Sequence, residues 1–150
     1  MSRPEETAGD LLVTLAACRR ELGRYAEAIW QSHDFGEDST LLTDLEVELP
    51  DGSTGVLLRC TAQRWHPGAV SDDVDVELTI RVDDRGFVVE SVIRALLVAA
   101  SGDHPAGAHL LHHDRSGAVD FATALAAARA RVAALWTLDD RLPALGFPVR

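Results

Sequence analysis

The spacing of apolar residues divides the chain into a helical beginning, a middle with strand periodicity and a helical end. Between Pro4 and Ser32, apolar side chains recur at alternating steps of four and three, which predicts a long amphipathic helix. The members of its apolar stripe are Leu11, Leu15, Cys18, Leu22, Tyr25 and Ile29. After a polar break at 34–40 the period changes from about 3.6 to about 2, which indicates that the chain enters a sheet.

The middle region has the alternation and the turn residues of an antiparallel meander. The predicted strands lie around 45–49, at 55–65, at 73–83 and from 87 to 97. A helix also fits the spacing of the fourth segment, but a strand through Leu97 is preferred because the segment follows a hairpin turn and hairpin partners match in length. Residues 101–117 are rich in Gly, Pro and His and predict a loop, with a short fifth strand at Ala108–His112 as the alternative.

The last element is predicted as a helix from Ala118 to Leu142, with Ser116 as its cap and Pro143 as its stop. Strands grouped between helices predict an α+β fold in one domain, 1–150. The expected architecture is a two-layer sandwich, with an antiparallel sheet of four or five strands between a long N-terminal and a long C-terminal helix. Sandwiches of this layout carry ligand pockets, secretion chaperones and dimerisation modules alike, so the layout assigns no function.

The basic residues are all Arg, fourteen in number, and Lys and Asn are absent. Since the codons of Lys and Asn are A-rich, this composition indicates a bacterial genome of high GC content. It also excludes enzymes that form a Schiff base through Lys, and P-loop proteins, whose Lys contacts the terminal phosphates. No G-x-S-x-G motif marks a catalytic serine, and no catalytic residue is predicted.

The net charge of −10 is concentrated in two stretches. No basic residue lies between Tyr25 and Leu58, and Arg81 is the one base within the acidic stretch 72–84. This balance argues against binding to nucleic acids and to anionic membranes, because both would repel the protein. The charge fits either a solvated face or a surface that docks a basic protein partner. The residues predicted for such partner contacts are Asp73, Asp75 and Glu77.

The cysteines, Cys18 and Cys60, are too few for a disulfide framework, and both fall at predicted core positions. No apolar stretch approaches the roughly 20 residues of a membrane span, and the acidic N-terminus does not resemble a signal peptide. These observations predict a cytoplasmic protein with reduced thiols.

A cluster of histidines and carboxylates is the one candidate for metal chemistry. The possible ligands are Asp103, His104, His109, His113 and Asp114. His109 and His113 are four residues apart, so they are expected on one side of either a helix or a strand. No H-E-x-x-H or paired C-x-x-C spacing accompanies them, however. A solvated loop without a cofactor is therefore preferred, and a zinc site is kept as the alternative.

The preferred functional interpretation is a non-enzymatic protein-interaction module: an adaptor, a chaperone-like protein or an immunity-type inhibitor. We expect it to be homodimeric and to bind a protein partner through its acidic sheet surface or an apolar groove. One alternative is a metal-binding protein or metal-dependent hydrolase that uses the histidine-rich segment. Another is a small-ligand pocket between the helices and the sheet, lined by Trp30, Trp65 and Trp136.

Overall fold

The chain folds as a helix, a five-strand meander and a second helix in the computed structural model, which describes residues 4–49, 51–98 and 105–150. Its elements are α1 (Pro4–Ser32), β1 (Ser39–Glu48), β2 (Thr54–His66), β3 (Val70–Asp83), β4 (Gly86–Leu97), β5 (Gly107–Arg115) and α2 (Phe121–Ala134). Each strand pairs antiparallel with the next, so β3 is the central strand. The protein is therefore α+β, as the sequence predicts, and the fifth strand forms.

The two helices bury apolar stripes against one side of the sheet. The buried residues of these stripes are Thr14, Cys18, Leu22 and Ala26 in α1, and Ala124, Ala128 and Val132 in α2. All of these except Thr14 share one core with Cys60, Val76 and Ile93, and we call the side of the sheet that carries these three residues the helix-side face. The small residues of α2 let it approach its neighbours closely. Among the described residues, no helix has both the length and the apolar character needed to cross a bilayer.

The start of α2 differs from the prediction. The helix begins at Phe121 rather than Ala118, because Val119 is held in a β-bridge to β4. Its cap is Asp120 rather than Ser116, and the Asp120 carboxylate accepts a hydrogen bond from a backbone N–H of the first turn at 2.7 Å. Tertiary pairing of the preceding residues thus decides where the helix begins.

The end of α2 also comes earlier than predicted, at Ala134 instead of Leu142. A single 3-10 turn follows at Leu135–Thr137, and the Thr137 hydroxyl donates a hydrogen bond to the Ala134 carbonyl at 2.7 Å. Leu138 is then extended, with ψ of 147°. As a result, residues 138–150 form a tail with a second short turn at 143–145, rather than a continuation of the helix.

Candidate functional site

An apolar cleft opens on the helix-side face, between the end of α1, strands β4 and β5, and the segment that follows α2. We call it the helix-side cleft. Its volume is about 310 Å³. The apolar side chains that line it are Ile29, Ile93, Leu111, Leu135, Leu138 and Leu142. Apolar walls with a few polar groups between them are typical of small-molecule sites.

Tyr25 and Trp136 form the aromatic wall of the helix-side cleft. Their ring centroids are 5.3 Å apart and the ring planes cross at 83°, an edge-to-face contact. Burial, with a further contribution from Asp140, raises the pKa of the Tyr25 hydroxyl. That hydroxyl therefore stays protonated and able to donate a hydrogen bond. Trp136 keeps 48% of its surface exposed although it lines the cleft, so a bound molecule would cover part of it.

His33 and Asp140 form a hydrogen-bonded pair at one side of the helix-side cleft. The His33 Nε2 atom lies 2.7 Å from the Asp140 carboxylate, and its Nδ1 atom lies 2.8 Å from the Ile29 carbonyl oxygen. Both partners are acceptors, so the buried ring is held by a contact at each of its two nitrogens. The pair joins the end of α1 to the tail.

Ser32 also lies beside His33, and the three residues Ser32, His33 and Asp140 invite comparison with a catalytic triad. The Ser32 hydroxyl is 3.1 Å from His33 Nδ1. The Ile29 carbonyl is closer to the same nitrogen, at 2.8 Å, and accepts a hydrogen bond from it. No basic nitrogen is then left to activate the serine, as nucleophilic catalysis would require. We interpret the arrangement as a structural link between α1 and the tail.

His112 supplies a second polar group to the helix-side cleft. Its Nε2 atom lies 3.1 Å from the hydroxyl of Ser91, which is fully buried on β4. Burial lowers the pKa of His112, so the ring is neutral near pH 7. A neutral imidazole offers one donor and one acceptor, which suits a hydrogen bond to an uncharged group.

The C-terminal residues fix the position of the cleft by pairing with the end of α1. The Asp34 N–H donates to the Pro148 carbonyl, and the Arg150 N–H donates to the Ser32 carbonyl, both at 2.8 Å. The Arg150 side chain also donates to the His33 carbonyl at 3.0 Å. These bonds satisfy carbonyls at the helix end that would otherwise lack partners.

The three predicted pocket tryptophans do not meet in one pocket. Trp136 lines the helix-side cleft, whereas Trp30 and Trp65 are absent from its described lining. The indole of Trp30 donates to the Ser39 hydroxyl at 3.0 Å, and that of Trp65 to the Thr40 hydroxyl at 3.1 Å. These two therefore anchor the start of β1.

The predicted partner-binding acids lie on β3, the central strand of the sheet. Asp73, Asp75 and Glu77 point away from the helix-side face. We call this side, which also carries Arg59 and Arg94, the charged face. Register pairs Glu77 with Arg59, and Asp75 with Arg94 on the other flank. The arginines opposite these acids therefore come from the neighbouring strands and not from the acidic stretch itself.

Glu77 is the best compensated of these acids. Its carboxylate lies 3.2 Å from Arg59 Nε and 3.3 Å from an Arg94 Nη, and the residue is buried. The Asp75 carboxylate accepts a hydrogen bond from the Thr61 hydroxyl at 2.7 Å. The Asp73 carboxylate accepts one from the Ser71 hydroxyl at 2.6 Å. The three acids are thus engaged within the protein instead of forming a free acidic patch.

The predicted metal ligands are separated by the structure. Asp103 and His104 lie outside the described residues. In β5, His109 pairs with Ala95 and His113 pairs with Val92, positions on opposite faces of β4. The expectation that both histidines share one side is therefore wrong, because a register shift in the β4–β5 pairing reverses the alternation.

Each of the predicted ligands that the structure describes contacts a different partner. His113 contacts Glu90 at 2.8 Å, His109 contacts the Pro105 carbonyl at 2.8 Å, and Asp114 pairs with Arg131 at 2.9 Å. Within residues 4–49, 51–98 and 105–150, no group of three His, Cys, Asp or Glu side chains is arranged to hold a metal ion.

Sequence reasoning missed the polar residues of the helix-side cleft. His33 and Asp140 are separated by 107 positions, and Ser91 and His112 by 21. No motif connects either pair, and Asp140 fell within a segment predicted to be helical. Only the correct end of α2 would have suggested that the tail returns to α1.

In comparisons with protein-family models, curated proteins and solved structures, the chain shows no significant match.

Proposed function

We propose that the protein binds a small, uncharged and mainly apolar molecule in the helix-side cleft. The observation that carries the proposal is the combination of apolar walls with neutral hydrogen-bonding groups, His112 and Tyr25, in one cavity. The partly exposed Trp136 at this cavity adds a surface that a ligand would cover.

The size of the cleft favours a small molecule over a protein segment. Its volume of about 310 Å³ is at the lower end of the range of roughly 300–1,000 Å³ for small-molecule sites. An amphipathic helix needs a longer groove, with room for anchors at several successive turns. We therefore expect a compact aromatic or branched aliphatic ligand.

The charges around the cleft favour an uncharged ligand. The Asp140 carboxylate is already hydrogen-bonded to His33, and His112 is neutral. Arg141 and Asp139 also line the cleft, so an ionic ligand of either sign would meet a like charge beside the opposite one while it loses its hydration, which is costly. A single carbonyl, hydroxyl or amide group on the ligand would match the donors of Tyr25 and His112.

The reducing cytoplasm is the compartment that we propose for this binding. Cys18 and Cys60 are both free and buried, and burial raises the pKa of both thiols. Such thiols are inert and act as small apolar side chains in the core. Free buried cysteines are typical of proteins from a reducing compartment.

Titration with N-phenyl-1-naphthylamine, a neutral apolar dye, tests the proposal. We expect a saturable rise in dye fluorescence and a change in tryptophan emission that Trp136→Phe removes. The variant Ala28→Trp places a large side chain at the lining of the cleft and should weaken binding by at least about tenfold. Its matched control is Ala16→Trp on the exposed side of α1, which should bind the dye normally.

Two results would contradict the proposal. One is the absence of saturable dye binding by the folded protein. The other is equal binding by Ala28→Trp and Ala16→Trp, which would locate the dye elsewhere on the surface.

A further inference from the structure

Strand β1 lies at an edge of the sheet, and its register with β2 decides which of its residues have N–H and C=O groups that point outward. The Trp65 N–H donates to the Asp38 carbonyl at 3.0 Å, which makes Asp38 and Trp65 a hydrogen-bonded pair. In an antiparallel ladder such pairs alternate with pairs whose N–H and C=O groups point outward. With Ser39 opposite Arg64, the residues whose backbone points outward are Ser39, Leu41, Thr43 and Leu45.

These four residues present about eight backbone hydrogen-bonding groups along one line. In the described part of the chain, no backbone hydrogen bond occupies them. Thr43 and Leu45 are exposed, and Leu45 keeps 55% of its surface accessible. A strand edge of this length, with apolar side chains and no proline, is a ready template for another strand.

The charge around this edge is acidic. Glu37 and Asp38 precede β1, and Asp44 and Glu46 lie on it, whereas no base occurs between Tyr25 and Leu58 in the sequence. Arg59 lies opposite Asp44 and reaches Glu46 at 3.5 Å, while it also pairs with Glu77. One arginine thus serves three carboxylates here, so the β1 edge keeps an excess of negative charge.

We propose that β1 binds an extended, basic segment of a partner protein, which adds to the sheet as a sixth strand. Main-chain hydrogen bonds to the outward-pointing groups provide the docking, and Lys or Arg side chains of the segment face Asp44 and Glu46. A second copy of this chain is a poorer occupant, because two β1 edges would bring the same acids together without a base. This surface is separate from the helix-side cleft and does not depend on a ligand there.

The test uses two synthetic ten-residue peptides, one that alternates Val with Arg and one that alternates Val with Glu. Fluorescence anisotropy of the labelled peptides should show binding of the basic peptide and at least about tenfold weaker binding of the acidic one. Binding should weaken as salt is raised. Amide hydrogen exchange should show new protection at Ser39, Leu41, Thr43 and Leu45 when the basic peptide is bound.

Thr43→Pro separates strand addition from simple charge attraction, because it removes an outward N–H while the ladder to β2 is kept. We expect at least a tenfold loss of peptide affinity, with Thr43→Ala as the matched control at unchanged affinity. If Thr43→Pro does not fold, Asp44→Lys provides the second variant and should also weaken the basic peptide about tenfold. Equal affinity of Thr43→Pro and Thr43→Ala would overturn the proposal. So would a dimer in which the β1 amides are already protected without peptide.

Discussion

The two faces of the central strand β3 hold buried or partly buried carboxylates in contrasting ways. Asp72 lies on the helix-side face, at the end of the core, and Asp75 lies on the charged face. Both belong to the same acidic stretch of sequence, and nothing in that stretch distinguishes them. The difference comes from what the neighbouring strands and the tail place around each carboxylate.

Asp72 is the centre of a network that joins three parts of the protein. Its carboxylate accepts hydrogen bonds from Arg64 at 2.8 and 3.0 Å, from His66 at 2.5 Å and from the Val98 N–H at 2.8 Å. Arg64 in turn donates to the Gly146 carbonyl at 2.6 Å. Burial alone would raise the pKa of Asp72, but the hydrogen bonds from His66, Val98 and Arg64 outweigh it and lower that pKa.

Asp75 has a much poorer environment for a charge. Burial is the largest influence and raises the pKa of Asp75, against which the hydrogen bond from Thr61 and the charge of Arg59 act in the opposite direction. Asp73 adds repulsion. The comparison shows that two acids of one strand can stabilise or weaken the same fold, depending on the partners that the register and the tail place beside each carboxylate.

Removal of the Asp72 carboxylate should have the largest effect. Asp72→Ala leaves the largely buried Arg64 without its charge partner and the Val98 N–H without an acceptor. We expect a loss of about 3–5 kcal/mol in the free energy of unfolding, the usual cost of breaking a buried ion pair from one side. Urea denaturation followed by circular dichroism measures it.

Asp73→Ala is the matched control for Asp72→Ala, since it removes the next carboxylate on the opposite face. Its loss should stay below about 1 kcal/mol, because it breaks one hydrogen bond to the partly exposed Ser71. Equal losses in the free energy of unfolding would show that the network around Asp72 contributes no more to stability than the single hydrogen bond of Asp73.

The second prediction concerns the dependence of the Asp72 contribution on pH. The folded protein lowers the pKa of Asp72, so at low pH the unfolded chain binds a proton more readily than the folded one. The stabilisation is present above the ordinary Asp pKa of about 4 and is lost as the pH falls through the lowered value. The stability difference between the native protein and Asp72→Asn should therefore be larger at pH 5 than at pH 3. A difference that is constant between these pH values would contradict this linkage.

The sequence predicted the elements whose periodicity is strong and local. The apolar stripe of α1 indicates a helix and the alternation of β3 indicates a strand. A buried side recurs every three to four residues in a helix and every two residues in a strand, so both patterns can be seen in the local sequence. The predicted end of α2 was wrong, because residues 135–142 contain no Gly or Pro that would stop a helix and only tertiary contacts of the tail end it at Ala134.

The candidate site was harder to predict than the fold. The His33–Asp140 pair depends on a tail that returns across the whole chain, which no local pattern records. The positions of Asp75 and Glu77 depend on register, because their basic partners Arg59 and Arg94 come from other strands. A register shift within the β4–β5 pairing was enough to move His109 and His113 to opposite faces.

The smallest predicted effect, and the one with the opposite sign, belongs to Asp75→Asn. The amide keeps the shape of the side chain and can accept the hydrogen bond from Thr61, but it removes a charge that the folded state disfavours. A raised pKa in the folded protein means that stability falls as the pH rises through the ordinary and then the raised value. Relative to the native protein, Asp75→Asn should therefore gain stability between pH 4 and pH 7, by less than about 1 kcal/mol. Relative to the native protein, Asp72→Asn should lose stability as the pH rises from 3 to 5. Parallel denaturation of each variant across its own interval measures this contrast, and slopes of the same sign would mean that the environments of Asp72 and Asp75 do not differ in this way.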